Sequence, residues 1–239
     1  MKKFLIKVIK KFFAVFSLKL VKMNDQEKMT RYRKPKPEEY STVFGAGSFI
    51  PEQLEAYFLC MNKYVQENDK VLDVGFGLGY GLSTLSIKAK EVSGIDIDEK
   101  VLNYCRATTV GKNPKLKDLK IYDGYHLDYP DNYFDIVSSV DVLEHVKDYD
   151  KFLDELLRVS KRGVFINTPN RRPEYTNPDG KPKNYWHLRE WNQGELKTIL
   201  EKHGRVEENF INGQFNGPFT ISSEIEEDTL ALSPFIFKK

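Results

Sequence analysis

The chain is poor in cysteine and has no apolar stretch long enough to span a membrane. Cys60 and Cys105 are its only cysteines in 239 residues, and no C-x-x-C pair occurs. Neither a disulfide framework nor a cysteine zinc cluster is therefore expected. Apolar runs fall far short of the ~20 residues that a spanning helix needs, and no internal repeat or low-complexity tract is visible. These absences favour one ordinary globular domain in a reducing, cytoplasmic setting.

The first 23 residues lack acidic side chains altogether. Residues 1–23 carry seven of the 37 basic residues, which leaves 30 basic and 35 acidic residues, a net charge of −5, in the remainder. Apolar residues fall on one face of a predicted helix and lysines on the other. The pattern favours a helix lying on an anionic membrane surface. Docking on the protein's own core or on a sister subunit, and a targeting segment, are the alternatives.

The rest of the chain divides into a polar arm and one folded domain. Residues 24–50 begin with a polar stretch that runs to residue 42 and holds two prolines, which predicts a linker or an irregular arm. Residues 51–239 form the predicted domain, in which helical and strand-like patterns alternate. This alternation predicts a parallel sheet covered by helices on both faces. Helices are predicted at 51–68, 80–89, 99–107, 149–159 and 193–203, and strands at 70–74, 91–95, 119–122, 134–139, 163–168, 206–211 and 219–221.

A glycine-rich turn follows the first predicted strand. The segment VLDVGFGLGYGLSTLS spans residues 71–86 and places an acid, Asp73, two positions before the first of several alternating glycines. Tyr80 stands where the dinucleotide fingerprint G-x-G-x-x-G needs its third glycine. A carboxylate here would repel a pyrophosphate but would tolerate or favour the cationic amino-acid end of a ligand. Glycines let a ligand approach the backbone closely.

A second acid ends the next predicted strand. Asp96 follows the last glycine of the D-x-G-x-G-x-G motif, Gly79, by 17 residues, and a carboxylate there can accept hydrogen bonds from a ribose diol. Such a carboxylate serves NAD and S-adenosylmethionine equally. Asp98 is predicted to cap the helix that follows.

These motifs resemble those of the class I S-adenosylmethionine-dependent methyltransferases over roughly residues 51–210. The resemblance implies a Rossmann-like, doubly wound, mainly parallel seven-strand α/β sheet. It implies that S-adenosylmethionine is the cofactor and that Asp123, in YDGYHLDYPDNYFDIV, receives the adenine amino group. Phe76 departs from the small residue that many relatives have there. The cofactor-binding residues implied are Asp73, Gly75, Gly77, Gly79, Asp96, Ile97, Asp123, Gly124 and Ser139.

The stretch after the fourth predicted strand resembles the catalytic region of this family. Glu144 and His145 stand where a substrate-facing acid and base could act, although a structural hydrogen bond is the alternative for His145. The sequence Ser-Ser-Val-Asp replaces the proline-rich, amide-containing tetrad of base-modifying relatives, and no Pro-Cys nucleophile occurs. Outside residues 1–23 there is no basic patch interleaved with aromatics, so nucleic acid is a disfavoured partner.

A long polar connection, residues 170–191, predicts a binding loop or a lid. Its end, NYWHLREW, resembles a segment of methyltransferases that act on small molecules, sugars or lipid-linked substrates, with Tyr185 in place of a proline. The resemblance implies His187 as a further base and Arg189 as an anion clamp. The alternative for both residues is a structural role, in which their contacts hold the loop against the core. Tyr185, Arg189 and Asn170 are the predicted acceptor-binding residues.

The sequence thus predicts an enzyme that methylates a small or lipid-linked acceptor by in-line displacement, without a metal. Oxygen of a glycan or quinone-like molecule is the favoured acceptor atom. Two alternatives stay open. One is an NAD-dependent oxidoreductase, and the other is a non-catalytic cofactor-binding scaffold at the membrane.

Overall fold

The computed structural model describes residues 51–108, 112–214 and 218–239. The predicted basic helix at 1–23 and the linker at 24–50 lie outside the described residues. The α-helices are α1 (Pro51–Lys63), α2 (Tyr80–Leu85), α3 (Glu99–Ala107), α4 (Tyr149–Val159) and α5 (Gln193–Leu200). The strands are β1 (Lys70–Val74), β2 (Glu91–Asp96), β3 (Leu116–Ile121), β4 (Phe134–Val140), β5 (Ser160–Pro169), β6 (Arg205–Glu207), β7 (Phe210–Gly213), β8 (Phe219–Ser222), β9 (Thr229–Leu232) and β10 (Phe235–Phe237).

A parallel half-sheet forms the centre of the fold. Its strands run in the order β3-β2-β1-β4-β5, and every neighbouring pair is parallel. The chain enters the sheet at β1 and moves outward through β2 to β3. It then returns to form β4 on the other side of β1. The order therefore reverses between β1 and β4, and ligands of such sheets bind at the carboxyl ends of strands at this reversal.

An antiparallel extension continues the sheet beyond β5. Strand β9 pairs with β5 and β7, β8 pairs with β7, and β10 lies between β5 and β6. The predicted fold class is confirmed, but the sheet formed by the described residues has ten strands rather than seven. Strands β9 and β10 have only four and three residues, too few to give a clear alternating pattern.

Helices cover the two faces of the sheet with separate apolar clusters. One cluster joins α1, α2 and α3 to the sheet, and the other joins α4 and α5 to the opposite face. The central strand β1 is buried along four of its five residues, as expected for a strand covered on both sides. Asp98 caps α3 by accepting a hydrogen bond from the Lys100 backbone N–H at 2.8 Å.

Several predicted boundaries were wrong by a few residues. Helix α1 ends at Lys63 rather than residue 68, and the Asp69 carboxylate accepts a hydrogen bond from the Gln66 N–H at 2.6 Å in the turn that follows. Helices α2 and α5 also end earlier than predicted, at Leu85 and Leu200. The strand predicted at 206–211 is two strands, β6 and β7, and Asn209 between them bonds to the Ser233 carbonyl oxygen.

No helix in the described ranges has both the length and the apolar composition needed to cross a bilayer.

Candidate active site

The glycine turn leaves β1 at the point where the strand order reverses. Gly75, Gly77 and Gly79 have φ of +77°, +51° and +79°, a region that residues with a side chain rarely adopt. A Cβ on Gly75 would overlap the Val142 side chain, whereas a Cβ on Gly77 would meet nothing within 4 Å. The turn at Gly77 is therefore open to a ligand.

Asp73 lies at the base of this turn and is completely buried. Its Oδ1 accepts a 2.7 Å hydrogen bond from the Ser138 hydroxyl on β4. Burial raises the pKa of Asp73 to about 7, against the lowering effect of the Ser138 and Tyr57 hydroxyls. Oδ2 makes no well-formed hydrogen bond within the described part of the chain, and it would lie 2.6 Å from a Cβ on Gly81. Glycine at 81 therefore leaves room for this carboxylate.

Asp96 ends β2 and faces the same turn. Its Oδ2 accepts a hydrogen bond from the Gly77 N–H at 2.9 Å, and its Oδ1 accepts one from the Asp98 N–H at 3.0 Å. Burial raises the pKa of Asp96, and the N–H groups of Gly77 and Asp98 oppose this rise. The carboxylate is thus fixed beside the glycine turn.

Three further predicted cofactor residues lie together: Ile97 and Gly124 form an apolar corner, and Asp123 lies at its polar edge. Ile97 is 67% exposed and lies against Gly124, where an added Cβ would be 3.9 Å from the Ile97 Cγ2. Asp123 is exposed, and its Oδ1 accepts hydrogen bonds from the backbone N–H groups of Tyr125 and His126 at 2.8 and 2.6 Å. These two N–H groups hold the pKa of Asp123 below its usual value.

Strand β4 contributes two buried serines. Ser139 was predicted as a cofactor residue, and its Oγ is buried without a hydrogen-bond partner among the described residues. Ser138, which the sequence analysis missed, is the residue that binds Asp73. The paired Ser-Ser at a strand end was a visible signal, but only the sheet register shows which serine faces Asp73.

A second group that the sequence analysis missed connects α1 to the turn after β4. Asp141 has φ of +53°, and its carboxylate accepts hydrogen bonds from Gln53 Nε2 at 2.7 Å and from Asn167 Nδ2 at 2.6 Å. Gln53 Oε1 also accepts a hydrogen bond from the Tyr80 hydroxyl. Burial and the Asp141 charge raise the pKa of neighbouring Glu52 to about 8.

Glu144 lies in a short 3-10 turn after β4 and is fully buried. The Thr168 hydroxyl on β5 donates to its Oε2 at 3.0 Å. Oε1 has no hydrogen-bond partner among the residues that the structure describes. Burial, together with the nearby charges of Asp141 and Glu190, raises the pKa of Glu144 well above its usual value.

His145 is oriented by the loop that was predicted as a lid. Its Nδ1 lies 2.8 Å from the Trp186 carbonyl oxygen, which can only accept, so Nδ1 carries the proton in this pair. Nε2 lies 4.0 Å from Glu144 Oε1, and the side chain is 41% exposed. Burial of part of the ring lowers the pKa of His145.

His187 lies beside His145, with ring centroids 5.0 Å apart. Its Nδ1 is 2.5 Å from Glu190 Oε1, and its Nε2 is 2.8 Å from Asn184 Nδ2. Asn184 Oδ1 accepts from the Trp186 N–H at 3.1 Å, so the amide donates to His187 Nε2. The structure therefore brings Glu144, His145 and His187, the three residues predicted to be catalytic, into one cluster.

The predicted acceptor residues are more scattered. The Arg189 guanidinium donates to the Lys147 carbonyl oxygen at 3.1 and 3.2 Å and lies over the Tyr149 ring. Asn170 Nδ2 donates to the Thr229 carbonyl oxygen at 3.0 Å, which ties it to β9. Tyr185 is 52% exposed and lies edge-on to Trp186. Arg189 thus has the structural contacts that its alternative interpretation expects, and Asn170 is tied to the sheet as well.

The chain is similar in sequence to known methyltransferases. A family model described as a methyltransferase domain matches residues 72–167. A "Probable S-adenosylmethionine-dependent methyltransferase" of Mycolicibacterium smegmatis is 36% identical over 149 residues, 62% of this chain and 55% of that protein. A ubiquinone biosynthesis O-methyltransferase of Hydrogenovibrio crunogenus is 33% identical over 107 residues, 44% of each chain. The curated relatives include both O- and N-methyltransferases.

The fold has solved counterparts. The YcgJ protein of Bacillus subtilis superposes with a TM-score of 0.61 over 79% of this chain and 99% of that chain, at 16% identity. The chain spans about half the length of the first three of these curated relatives. Residues 72–167 thus match the methyltransferase-domain family, the sequence relatives of this chain include S-adenosylmethionine-dependent methyltransferases, and its fold has counterparts among solved structures.

Proposed function

We propose that this protein transfers a methyl group from S-adenosylmethionine to a hydroxyl oxygen of a small or lipid-linked acceptor, such as a glycan or a quinone-like ring. The observation that carries the proposal is the orientation of His145. Its Nδ1 is bound to the Trp186 carbonyl, which leaves the basic Nε2 directed to the Glu144 side. An oxygen nucleophile needs such a base, and the relative named as an O-methyltransferase supports the same atom.

The residues around the glycine turn fit the methyl donor. The open approach at Gly77 admits the amino-acid part, and the buried carboxylate of Asp73 favours its ammonium group. Each oxygen of Asp96 accepts one backbone N–H and retains a lone pair for a ribose hydroxyl. The exposed Ile97 side chain beside Gly124 offers an apolar wall to the adenine ring, with Asp123 at its edge.

When bound, S-adenosylmethionine supplies a methyl group on a sulfonium, and the C–S bond electrons leave with sulfur. The protein's own task is to align the acceptor and to remove its proton. His145 Nε2 accepts the hydroxyl proton as the O–C bond forms, and the Trp186 carbonyl keeps Nδ1 protonated throughout. Glu144 Oε1 lies 4.0 Å from Nε2 and can accept a hydrogen bond from a second hydroxyl of the acceptor, beside the one that reacts. Alignment of this kind lowers the activation free energy by several kcal/mol.

Titration with S-adenosylhomocysteine by calorimetry tests the donor site. We expect binding in the micromolar range, weakened by about 1–3 kcal/mol in Asp96→Ala because a charged hydrogen-bond partner is lost. The exposed Asp128→Ala serves as the matched control and should bind like the parent. NADH is titrated in parallel, since NADH binding without S-adenosylhomocysteine binding would favour an oxidoreductase and overturn the proposal.

Turnover with a labelled methyl donor on membrane and glycan extracts tests the acceptor. We expect His145→Ala to lower kcat by about 10²–10⁴-fold while the affinity for S-adenosylhomocysteine stays unchanged. His126→Ala, which removes an exposed histidine outside the cluster, is the control. Full activity of His145→Ala would rule out the base, and absence of methyl transfer to any extract would support a non-catalytic scaffold.

A lipid-linked acceptor is supported by the basic amphipathic pattern of residues 1–23. Such a segment would hold the enzyme at an anionic surface where its acceptor resides. Co-sedimentation of the full chain with vesicles of anionic lipid, compared with a chain beginning at Asn24, measures the effect. Equal pelleting of the two chains would remove the membrane from the proposal and leave a free small molecule as the acceptor.

A further inference from the structure

We propose that Glu144, His145 and His187 form a binding site for one divalent metal ion of the zinc class. One ligand atom from each residue lies within 4.8 Å of the others. Zinc binds imidazole nitrogen and carboxylate oxygen at about 2.0–2.2 Å. A modest movement of the three side chains would therefore bring all three ligand atoms to bonding distance of one ion. No such site follows from methyl-transfer chemistry itself, in which the sulfonium is the electrophile.

The buried Glu144 carboxyl supplies the first independent observation. It is 0% exposed, and Oε1 has no hydrogen-bond donor in the described ranges. His145 Nε2 lies 4.0 Å from Oε1, which is too far for a hydrogen bond. A buried carboxylate oxygen without a partner is costly, and a cation between Glu144 and His145 would remove this cost.

The second independent observation is the set of hydrogen bonds made by the Nδ1 atoms of the two histidines. Metal-binding histidines almost always donate their other ring N–H to a carbonyl or a carboxylate. Here His145 Nδ1 is held by the Trp186 carbonyl and His187 Nδ1 by Glu190. Both rings thus keep Nε2 as the unprotonated nitrogen. The present donor to His187 Nε2 is Asn184, an exposed loop residue that can move away.

The ligand set decides the class of ion. Two imidazoles and one carboxylate match catalytic zinc sites of the His2Glu type, which keep a fourth position for water or substrate. Mg²⁺ and Ca²⁺ instead prefer oxygen ligands. The charge of Asp141 acts on both Glu144 and His187, and this negative field adds to the attraction for a dication.

A bound ion would change how the acceptor is activated, and this part rests on the proposed function. His145 Nε2 would then be a ligand rather than a base. The acceptor hydroxyl would take the open position, and its proton would pass to water as the ion lowers its pKa. The methyl group would still leave sulfur with the C–S electron pair remaining on sulfur. Methyl transfer would therefore fall when the ion is removed.

The test is direct measurement of zinc on the full chain. Protein stripped with EDTA is titrated with ZnCl₂ by calorimetry, and bound zinc is counted by atomic emission. We expect one ion per chain, with affinity at least tenfold weaker in Glu144→Gln and in His187→Asn. His203→Asn is the matched control, because that imidazole binds Asp150 and Asp154 outside the cluster, and it should bind zinc like the parent.

Each outcome has one meaning. Retained S-adenosylhomocysteine binding by both variants shows that they are folded. No stoichiometric zinc, zinc binding unaffected by both variants, or preference for MgCl₂ over ZnCl₂ would overturn the site. If EDTA-treated protein without zinc still methylates its acceptor at the full rate, the proposed function stands and the role of the ion fails. If zinc binds at this site but no methyl transfer is detected, the metal site stands and the proposed function fails.

Discussion

Gln53 and Asp141 are 88 positions apart in the chain, yet the Gln53 amide donates a 2.7 Å hydrogen bond to the Asp141 carboxylate. The same amide accepts from the Tyr80 hydroxyl at the start of α2. One side chain on α1 therefore connects the end of the glycine turn to the turn that presents Glu144 and His145. The proposed donor site and the proposed acceptor site are therefore connected through the hydrogen bonds of one side chain.

Breaking this link should weaken both the fold and the donor site. We expect Gln53→Ala to lower the free energy of unfolding by about 1–3 kcal/mol, because a buried carboxylate loses a hydrogen-bond donor. Urea denaturation followed by circular dichroism measures the change, and calorimetry with S-adenosylhomocysteine reports the donor site. Gln66→Ala, on the exposed turn after α1, should have almost no effect. Equal stability of the two variants would show that the link carries no energy.

The affinity for the methyl donor should depend on the protonation of Asp73. Its pKa is raised to about 7 by burial, so the carboxyl loses its charge as the pH falls through this value. Only the ionised form attracts the cationic amino end of the ligand. We expect S-adenosylhomocysteine to bind more weakly at pH 6 than at pH 8 and Asp73→Asn to bind weakly at both. An unchanged pH dependence in that variant would exclude Asp73 as the cause.

Glu52 should make the protein less stable as the pH rises. Its pKa is raised from 4.5 to about 8 in the folded chain, so between these values the unfolded chain releases a proton that the folded chain keeps. Stability due to this group is therefore lost from pH 4.5 upward and becomes constant above about pH 8. We expect Glu52→Gln to raise the free energy of unfolding by about 2–4 kcal/mol more at pH 8 than at pH 5. The exposed Glu67→Gln is the control, and a parallel pH profile in both variants would contradict the prediction.

Gly75 should tolerate no side chain, for two separable reasons. Its φ of +77° is unfavourable for alanine, and an added Cβ would overlap Val142. Gly180 has a similar φ of +82° with nothing within 4 Å of its added Cβ. Gly180→Ala should therefore show the backbone cost alone, about 1–2 kcal/mol. We expect Gly75→Ala to lower the free energy of unfolding by more than Gly180→Ala does, as measured by thermal or urea unfolding. The double variant Gly75→Ala with Val142→Ala should recover only the difference between these two losses. Equal losses at both glycines would rule out the steric part.

The sequence predicted those parts of the site that follow directly from strand ends. Asp73 and Asp96 lie where the patterns of β1 and β2 stop, and parallel strands bring their carboxyl ends to one edge. Ser138 and Gln53 were missed because their partners, Asp73 and Asp141, are 65 and 88 positions away. Local pattern carries no information on such contacts. The hydrogen bonds of Arg189 and Asn170 were likewise invisible, since a polar loop residue looks the same whether it binds a ligand or a backbone carbonyl.

The loop of residues 170–191 orients both histidines of the site. Its Trp186 carbonyl fixes His145, and its Glu190 fixes His187. The segment expected to meet the acceptor is therefore also the segment that aims the imidazoles. If this loop meets the acceptor as proposed, exchanging it for that of a relative would change the orientation of both imidazoles together with the substrate preference.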